Sequence, residues 1–580
     1  MKKLDPVSLI GSIVCALALV GIFFYNYQSL KKQQQNAPIV TSAEAEPQVQ
    51  QPIAATPDNA AVAQAAQAAV TAVKEQIQRE PVELAVPGQF KVVVDAMGRG
   101  VQKVTLDNYT IQTKKPEHKN DLVVMGQEKA PFLSLDVNGI ALYEIAEPEI
   151  TEKGVQTHRS DAAAAFRYDE SWELVPAEDQ PYSIQYTLKV TNTGSAATTV
   201  PQMLLSSGVL PDFLSDESNT SFSRYLSGCV AYGRASKDDA KTLSLKEISP
   251  DKMDDAKMAK YLVTPANWLG VSSKYFLFAL REPKMGGQPT VFPGFLAKEP
   301  QEFYPQQLFA GKAVLPTITL QPGESQVITV TGYAGPKSYQ LLEPMGHGIS
   351  SILNMDLFFF WHCNWMGWLC KMLLKALNGI AGWFSPACAY GLAIILITLI
   401  VKAVFMPLMW HSTRSMKKMS AVQPQLKVLR EKYKNDPQRM YYEQQKLFKE
   451  NGVSQMGGCL PMLVQIPVFF AMFNTFRGAI EIRNAGFLWV SDLSMPDPIF
   501  GLPIHPLAIM TGVTMFLQQR LQPMPDPNQA KMMNIMSLVF VVFFYNMPAG
   551  LTLYMTVNQL FTIVQMLCFK KLEKKTVKAA

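Results

Sequence analysis

A lysine, Lys402, stands in the run Ile400-Val401-Lys402-Ala403-Val404, which is otherwise apolar and uncharged. An ionisable side chain inside a bilayer costs about 2.5–3.5 kcal/mol on insertion scales, so its presence there points to a use. Thr398 lies one turn earlier on the same helical face. Gln465, Tyr554, Asn558 and Gln565 stand in other apolar runs and add amide and hydroxyl groups. One cation with several neutral hydrogen-bonding groups can hold an anionic or hydrated chain segment without changing a covalent bond. Two readings of Lys402 are open. It lies eight residues before Trp410, roughly 12 Å by helix rise, so its stem could snorkel toward the headgroups. Alternatively it lines a water-filled cavity open to the cytoplasm. For each uncharged group the plain alternative is an interhelical hydrogen bond, common in membrane bundles.

Motifs of covalent chemistry are missing. There is no G-x-x-x-x-G-K-[ST] nucleotide loop, no H-E-x-x-H and no G-x-S-x-G. The six histidines are dispersed. No aspartate falls in the spans proposed below, which argues against an intramembrane aspartyl protease. The expectation is a protein that is not an enzyme, with no cofactor and no metal.

The elements that must position these residues follow from a division of the chain. Mean hydropathy is near zero, but residues 41–345 are mixed and polar while 355–570 are dense in Leu, Ile, Phe, Met and Val. That much apolar surface has a membrane as its natural solvent. Met1-Lys2-Lys3 precedes an apolar run from Val7 to Tyr27 closed by Lys31 and Lys32. Its length and its Phe23-Phe24-Tyr25 ending predict an uncleaved signal anchor over 1–32; Cys15 is no lipoprotein site, because Val14 before it is not small. Residues 33–85, rich in Gln, Ala, Pro and Thr, read as a flexible linker. Strand signals near Lys91–Val94, Leu133–Ile145, Ile184–Val190, Tyr275–Leu280 and Val327–Val330, separated by turn residues, predict an all-β sandwich over 86–345. Cys229 is the one cysteine in this region, so it has no internal disulfide.

Residues 355–384 are crowded with Phe, Trp and Leu, and Lys371 and Lys375 share one helical face. They predict an amphipathic helix at the interface rather than a span. Spans follow at 389–409, 459–477, 503–519, 532–547 and 549–568, making six with the anchor. Several are short for a hydrocarbon core of about 30 Å, and Pro461 and Pro467 bend the third. These features favour a locally thinned bilayer. Lysines and arginines set the orientation. Residues 411–458 hold ten basic and four acidic residues, whereas the loop 478–502 holds Arg483 against Glu481, Asp492 and Asp497. The tail 569–580 carries five lysines. Both termini, the segment 410–458 and the short loop 520–531 are therefore placed in the cytoplasm, and the sandwich with 478–502 outside.

The segment 410–458 reads as a helical hairpin whose second arm starts at Asp436-Pro437 and ends at Asn451-Gly452. Arg414, Lys417, Lys418, Arg430 and Lys432 are its contact candidates, either toward anionic lipid or toward nascent chains, targeting factors and ribosomal RNA. The basic tail invites the same two readings. The dense methionines from Met406 to Met566 fill a core, and they also suit a surface that meets many apolar partners.

The run Gly457-Gly458-Cys459-Leu460-Pro461-Met462-Leu463-Val464-Gln465-Ile466-Pro467-Val468-Phe469 closely resembles the signature of the YidC/Oxa/Alb insertase family. So do Ile400-Val401-Lys402 through Pro407-Leu408, and Met547-Pro548-Ala549-Gly550-Leu551-Thr552-Leu553-Tyr554. Tyr333-Ala334-Gly335-Pro336-Lys337 resembles the end of the large periplasmic domain of Gram-negative members. The resemblance implies a polytopic α-helical membrane protein with a periplasmic β-supersandwich, in the bacterial inner membrane. Five of its six transmembrane helices would enclose a hydrophilic groove, open to cytoplasm and lipid. The family's groove cation maps onto Lys402, its threonine onto Thr398 and its third-helix glutamine onto Gln465. The family usually carries arginine at the cation position; lysine keeps the charge and loses the planar fork. Met555 stands where relatives often have a second tyrosine.

The expected function is insertion, folding and assembly of inner-membrane proteins, with nascent clients, the Sec translocon and its accessory subunits, the ribosome, targeting factors and lipids as partners. The client-binding residues would be Lys402, Thr398, Gln465, Tyr554 and Asn558. A small-solute transporter or anion channel is the alternative, without the inverted repeat such proteins show. A carbohydrate-modifying sandwich is a second rival, without a recognisable acid/base pair.

Overall fold

The computed structural model describes residues 81–579 apart from 96–98, 111–120, 128–129, 139, 162–164, 176–179, 211–228, 237–238, 245–254, 299–309, 356, 359–360, 435, 453–459, 500–503 and 522–526. The expected anchor 1–32 and most of the linker 33–85 lie outside the described residues, as does the Gly457-Gly458-Cys459 start of the signature run.

Alternating inward and outward residues over 82–336 build two antiparallel sheets of eight and eleven strands packed face to face. At the centre of the larger sheet, strand Ser325–Pro336 pairs with Ser183–Asn192 on one side and Phe276–Met285 on the other. Phe132 stacks on Phe278 at 4.6 Å between ring centroids. Its ring fills space that a side chain at Gly332 would need. The Trp172 indole donates to the Leu133 carbonyl at 3.0 Å, tying one sheet to the other. A polar knot lies in this interior. Arg159 donates through Nε to Glu170 Oε1 at 2.6 Å, and Tyr186 donates to Glu170 Oε2 at 2.8 Å. Burial raises the Glu170 carboxyl pKa, against the pull of the Arg159 charge and the two hydrogen-bond donors.

Beyond the sandwich the chain is helical: α1 (Asn364–Ala381), α2 (Ala389–Lys432), α3 (Pro437–Glu450), α4 (Leu460–Gly478), α5 (Pro506–Leu521), α6 (Pro527–Phe544) and α7 (Ala549–Ala579). Two expectations change here. The helix expected over 355–384 starts only at Asn364, because Leu357–Phe358 and Trp361–His362 pair as a short hairpin; the aromatic side chains of Phe358 and Trp361 suit strand better than helix. The first arm of the 410–458 hairpin is not a separate element. It continues α2 without a break through Pro407 and Pro424. At the second arm, Asp436 caps α3 by accepting from the Arg439 amide at 3.0 Å, with Pro437 at the first helical position. α7 likewise runs on through the basic tail.

Among the described residues two helices are long and apolar enough to cross a membrane, at Ala389–Ser412 and Ala549–Cys568. α4, α5 and α6 have 19, 16 and 18 residues, roughly 24–29 Å by helix rise. α1 buries Met366, Cys370, Leu373, Leu374 and Leu377 and leaves Trp365, Trp368 and Met372 exposed.

The segment between α4 and α5 holds the sandwich and covers one end of the bundle. Ser338 donates to Glu481 at 3.0 Å, Asn484 donates to Thr110 at 3.0 Å, and the Arg483 guanidinium lies over the Tyr275 and Phe276 rings. The first amides of α7, at Ala549 and Gly550, donate to the Met495 and Leu493 carbonyls. Asp497 accepts from the Leu507 amide at 2.7 Å and so caps the start of α5. Burial raises its carboxyl pKa, moderated by that amide, the Trp489 indole and the nearby His505.

Candidate functional site

Three helices bring the polar groups together. α7 carries two polar stripes. Tyr554, Asn558, Thr562 and Gln565 recur at helical spacing on one side, and Thr552, Thr556 and Gln559 on the next. The first stripe meets α2 and α4. Lys402 of α2 is 7% exposed, and its ammonium donates to Thr562 Oγ1 at 2.8 Å. The Thr562 hydroxyl in turn donates to the Asn558 carbonyl at 2.8 Å. Lys402 therefore points sideways across the helix interface. That is not the geometry of a lysine extended along its own helix toward Trp410.

Gln465 of α4 donates to the Tyr554 hydroxyl at 2.7 Å. Lys402 and Gln465 share the wall of one small cavity with Val401, Phe405, Leu408, Met409 and Val468. The cavity measures about 20 Å³, room for a single water molecule with polar partners at hand.

Thr398 is buried one turn from Lys402, and its hydroxyl donates to the Ile394 carbonyl of its own helix at 2.6 Å. Asn558 contributes its backbone carbonyl to the Lys402–Thr562 chain, and its side chain is buried. The Gln565 amide nitrogen is buried without a hydrogen-bond partner among the described residues.

The second stripe binds α5. Thr511 and Thr556 share a hydrogen bond of 2.8 Å, and Thr514 donates to Gln559 at 2.6 Å. Sequence reasoning missed Thr562, Thr556 and Gln559. Their spacing along α7 was the available signal, but a threonine in a helix can satisfy its hydroxyl on its own backbone and so raises no alarm.

Two family models cover this architecture. The YidC periplasmic domain matches residues 88–375, and the 60Kd inner membrane protein matches residues 382–576. The membrane protein insertase YidC of Citrifermentans bemidjiense is 30% identical over 498 residues, 83% of this chain and 84% of its own length. The chain belongs to the YidC family. The YidC of Geobacter sulfurreducens is 33% identical over 387 residues, 66% of this chain and 65% of that one. The YidC of Syntrophus aciditrophicus is 36% identical over 322 residues, 55% of each. In these last two alignments the chain spans less than two thirds of the relative's length.

The sandwich thus corresponds to the YidC periplasmic domain and the bundle to the inner-membrane part. The candidate hairpin residues Arg414, Lys418 and Lys432 are exposed on α2; Lys417 and Arg430 belong to the same helix. The hairpin has its own small core of Val422, Leu426 and Phe448. Lys432 and Arg439 both lie over the Tyr433 ring, gathering positive charge at the tip.

Proposed function

We propose that this chain inserts and helps fold integral proteins of the bacterial inner membrane; its relatives are named membrane protein insertase YidC. The observation that carries the proposal is a cation buried between α2 and α7, hydrogen-bonded sideways to Thr562 and sharing a cavity wall with Gln465. A merely structural bundle gains little from a lysine there, because burying the charge costs more than one hydrogen bond returns.

In this reading six helices span the membrane, five of them forming the working bundle. Both termini and the α2–α3 hairpin lie in the cytoplasm, and the sandwich in the periplasm. A client's short acidic tail enters between α2, α4 and α7 from the cytoplasm and wedges the small cavity open. Its carboxylate takes the place of Thr562 on the Lys402 ammonium, while Gln465, Tyr554 and Asn558 replace part of its hydration. Thr398, bonded to its own helix, lies buried one turn from the cation. The client's apolar stretch then partitions into lipid at about −0.3 to −0.6 kcal/mol for each central Leu, Ile, Phe or Val. Burial drives release, and no covalent bond changes. Exposed Arg414, Lys418 and Lys432, with Lys417 and Arg430 on the same helix, meet lipid headgroups, targeting factors or the ribosome. The Sec translocon is a partner in this reading.

The test compares Lys402→Ala with Lys402→Arg in a strain depleted of its own insertase, reading membrane insertion of an acidic-tailed client. Arginine supports insertion and alanine loses it. Equal insertion by all three forms refutes the role of the cation.

A further inference from the structure

We infer that the loop tip Leu488-Trp489, between α4 and α5, is a lipid-docking wedge seated at the headgroup–acyl boundary of the leaflet that meets the start of α2. Phe487 and Val490 exchange two backbone hydrogen bonds, of 2.8 and 2.9 Å, so Leu488 and Trp489 form the tip of a two-residue turn. Leu488 has φ of 54°, while Trp489 is not among the described residues with positive φ. Positive φ at the first central residue alone is the II′ pattern, where glycine is the usual occupant. A leucine there holds a strained backbone and, being 77% exposed, gains nothing from the protein that would offset the strain. Trp489 beside it is also exposed, while its indole nitrogen donates to the buried Asp497 and fixes the ring. No charged side chain occurs from Asn484 to Ser491.

Position identifies the occupant as lipid. The Phe487 ring sits where a side chain at Gly391 would begin. Gly391 is the third residue of the apolar stretch Ala389–Ser412, roughly 3 Å from its start by helix rise. Gly486 abuts the Ala387 carbonyl, just before that stretch, and Trp383 nearby in the chain is strongly exposed. The Phe487–Gly391 packing therefore mounts the tip at the boundary where tryptophan is enriched, with the leucine beside it free to dip toward the acyl chains. A protein partner at that depth would have to displace lipid, and no charge in the tip would select it.

The wedge rests on α2 crossing a membrane, and one experiment tests both. A diazirine analogue of leucine replaces Leu488, the exposed Val404 within the apolar stretch of α2, or Val263 on the sandwich surface, each in the full chain. The proteins are photolysed in vesicles of phosphatidylethanolamine and phosphatidylglycerol and read by intact mass. Lipid adducts at 488 matching those at 404, with water adducts at 263, are expected. Water adducts or a crosslinked second copy at 488, with lipid at 404, overturn the wedge alone. Absence of lipid adducts at 404 as well overturns the membrane reading and the wedge with it.

Discussion

Lys402 and Thr562 stand 160 residues apart in the chain and 2.8 Å apart in space, with the ammonium donating to a hydroxyl that is itself anchored on the Asn558 carbonyl. The pairing holds the cation inside the bundle. Valine at position 562 keeps the shape and removes the acceptor, which frees the lysine to swing toward the headgroups. Interhelical hydrogen bonds in membranes are worth about 0.6–2 kcal/mol, so Thr562→Val is expected to lower insertion of an acidic-tailed client about three- to thirtyfold. Thr562→Ser restores it. The check is protease protection of the client during pulse labelling. Insertion by Thr562→Val at the unmodified rate shows that the hydroxyl has no positioning role.

Gln465 and Tyr554 tie α4 to α7 in the same way. A double-mutant cycle of Gln465→Leu and Tyr554→Phe is expected to give a coupling near the membrane average of about 0.6 kcal/mol, measured by reversible unfolding in mixed micelles. Strictly additive effects show that the hydrogen bond is not maintained in the folded protein.

Most of this site could be read from the sequence, and packing explains why the rest could not. Lys402, Gln465 and Tyr554 stand out because each is polar where its neighbours are apolar. Thr562 does not, since a helical threonine is nearly neutral in apolar surroundings and its partner is set by packing. The Asp436-Pro437 cap was legible because it is local chemistry. The continuity of α2 was not: composition changes sharply near Trp410, but composition reports solvent, and the helix crosses that change unbroken. The short strands before α1 were hidden by their length, too brief to show alternation.

Asp497 supplies a pH dependence whose sign is fixed by its burial. Its carboxyl binds a proton more tightly in the fold than in the unfolded chain, where the reference value is about 3.9. The folded state therefore carries more of this proton, and the Asp497 contribution is greatest below that reference and is lost as pH rises through the raised folded value. Asparagine keeps an oxygen for the Leu507 amide and does not titrate. The melting temperature of the wild type, minus that of Asp497→Asn, is expected to fall between pH 4 and 7. A difference that rises over that range contradicts the burial argument.

The knot of Arg159, Glu170 and Tyr186 separates specificity from stability within the sandwich. Glu170 is fully buried, so removing its cation leaves a charge with no solvent to receive it. Arg159→Met is expected to cost about 3–5 kcal/mol, because half of a buried pair is worse than none. Replacing all three residues together, as Arg159→Met, Glu170→Leu and Tyr186→Phe, is expected to be nearly neutral, since the desolvation penalty disappears with the charges. Hydrogen exchange of the strands Gly154–Asp161, Phe166–Leu174 and Ser183–Asn192 in the full chain distinguishes the two. Protection should collapse in the single variant and return in the triple one. A triple variant as weak as the single would mean that the knot stabilises the sheet outright, through hydrogen bonds stronger than the hydration they replaced.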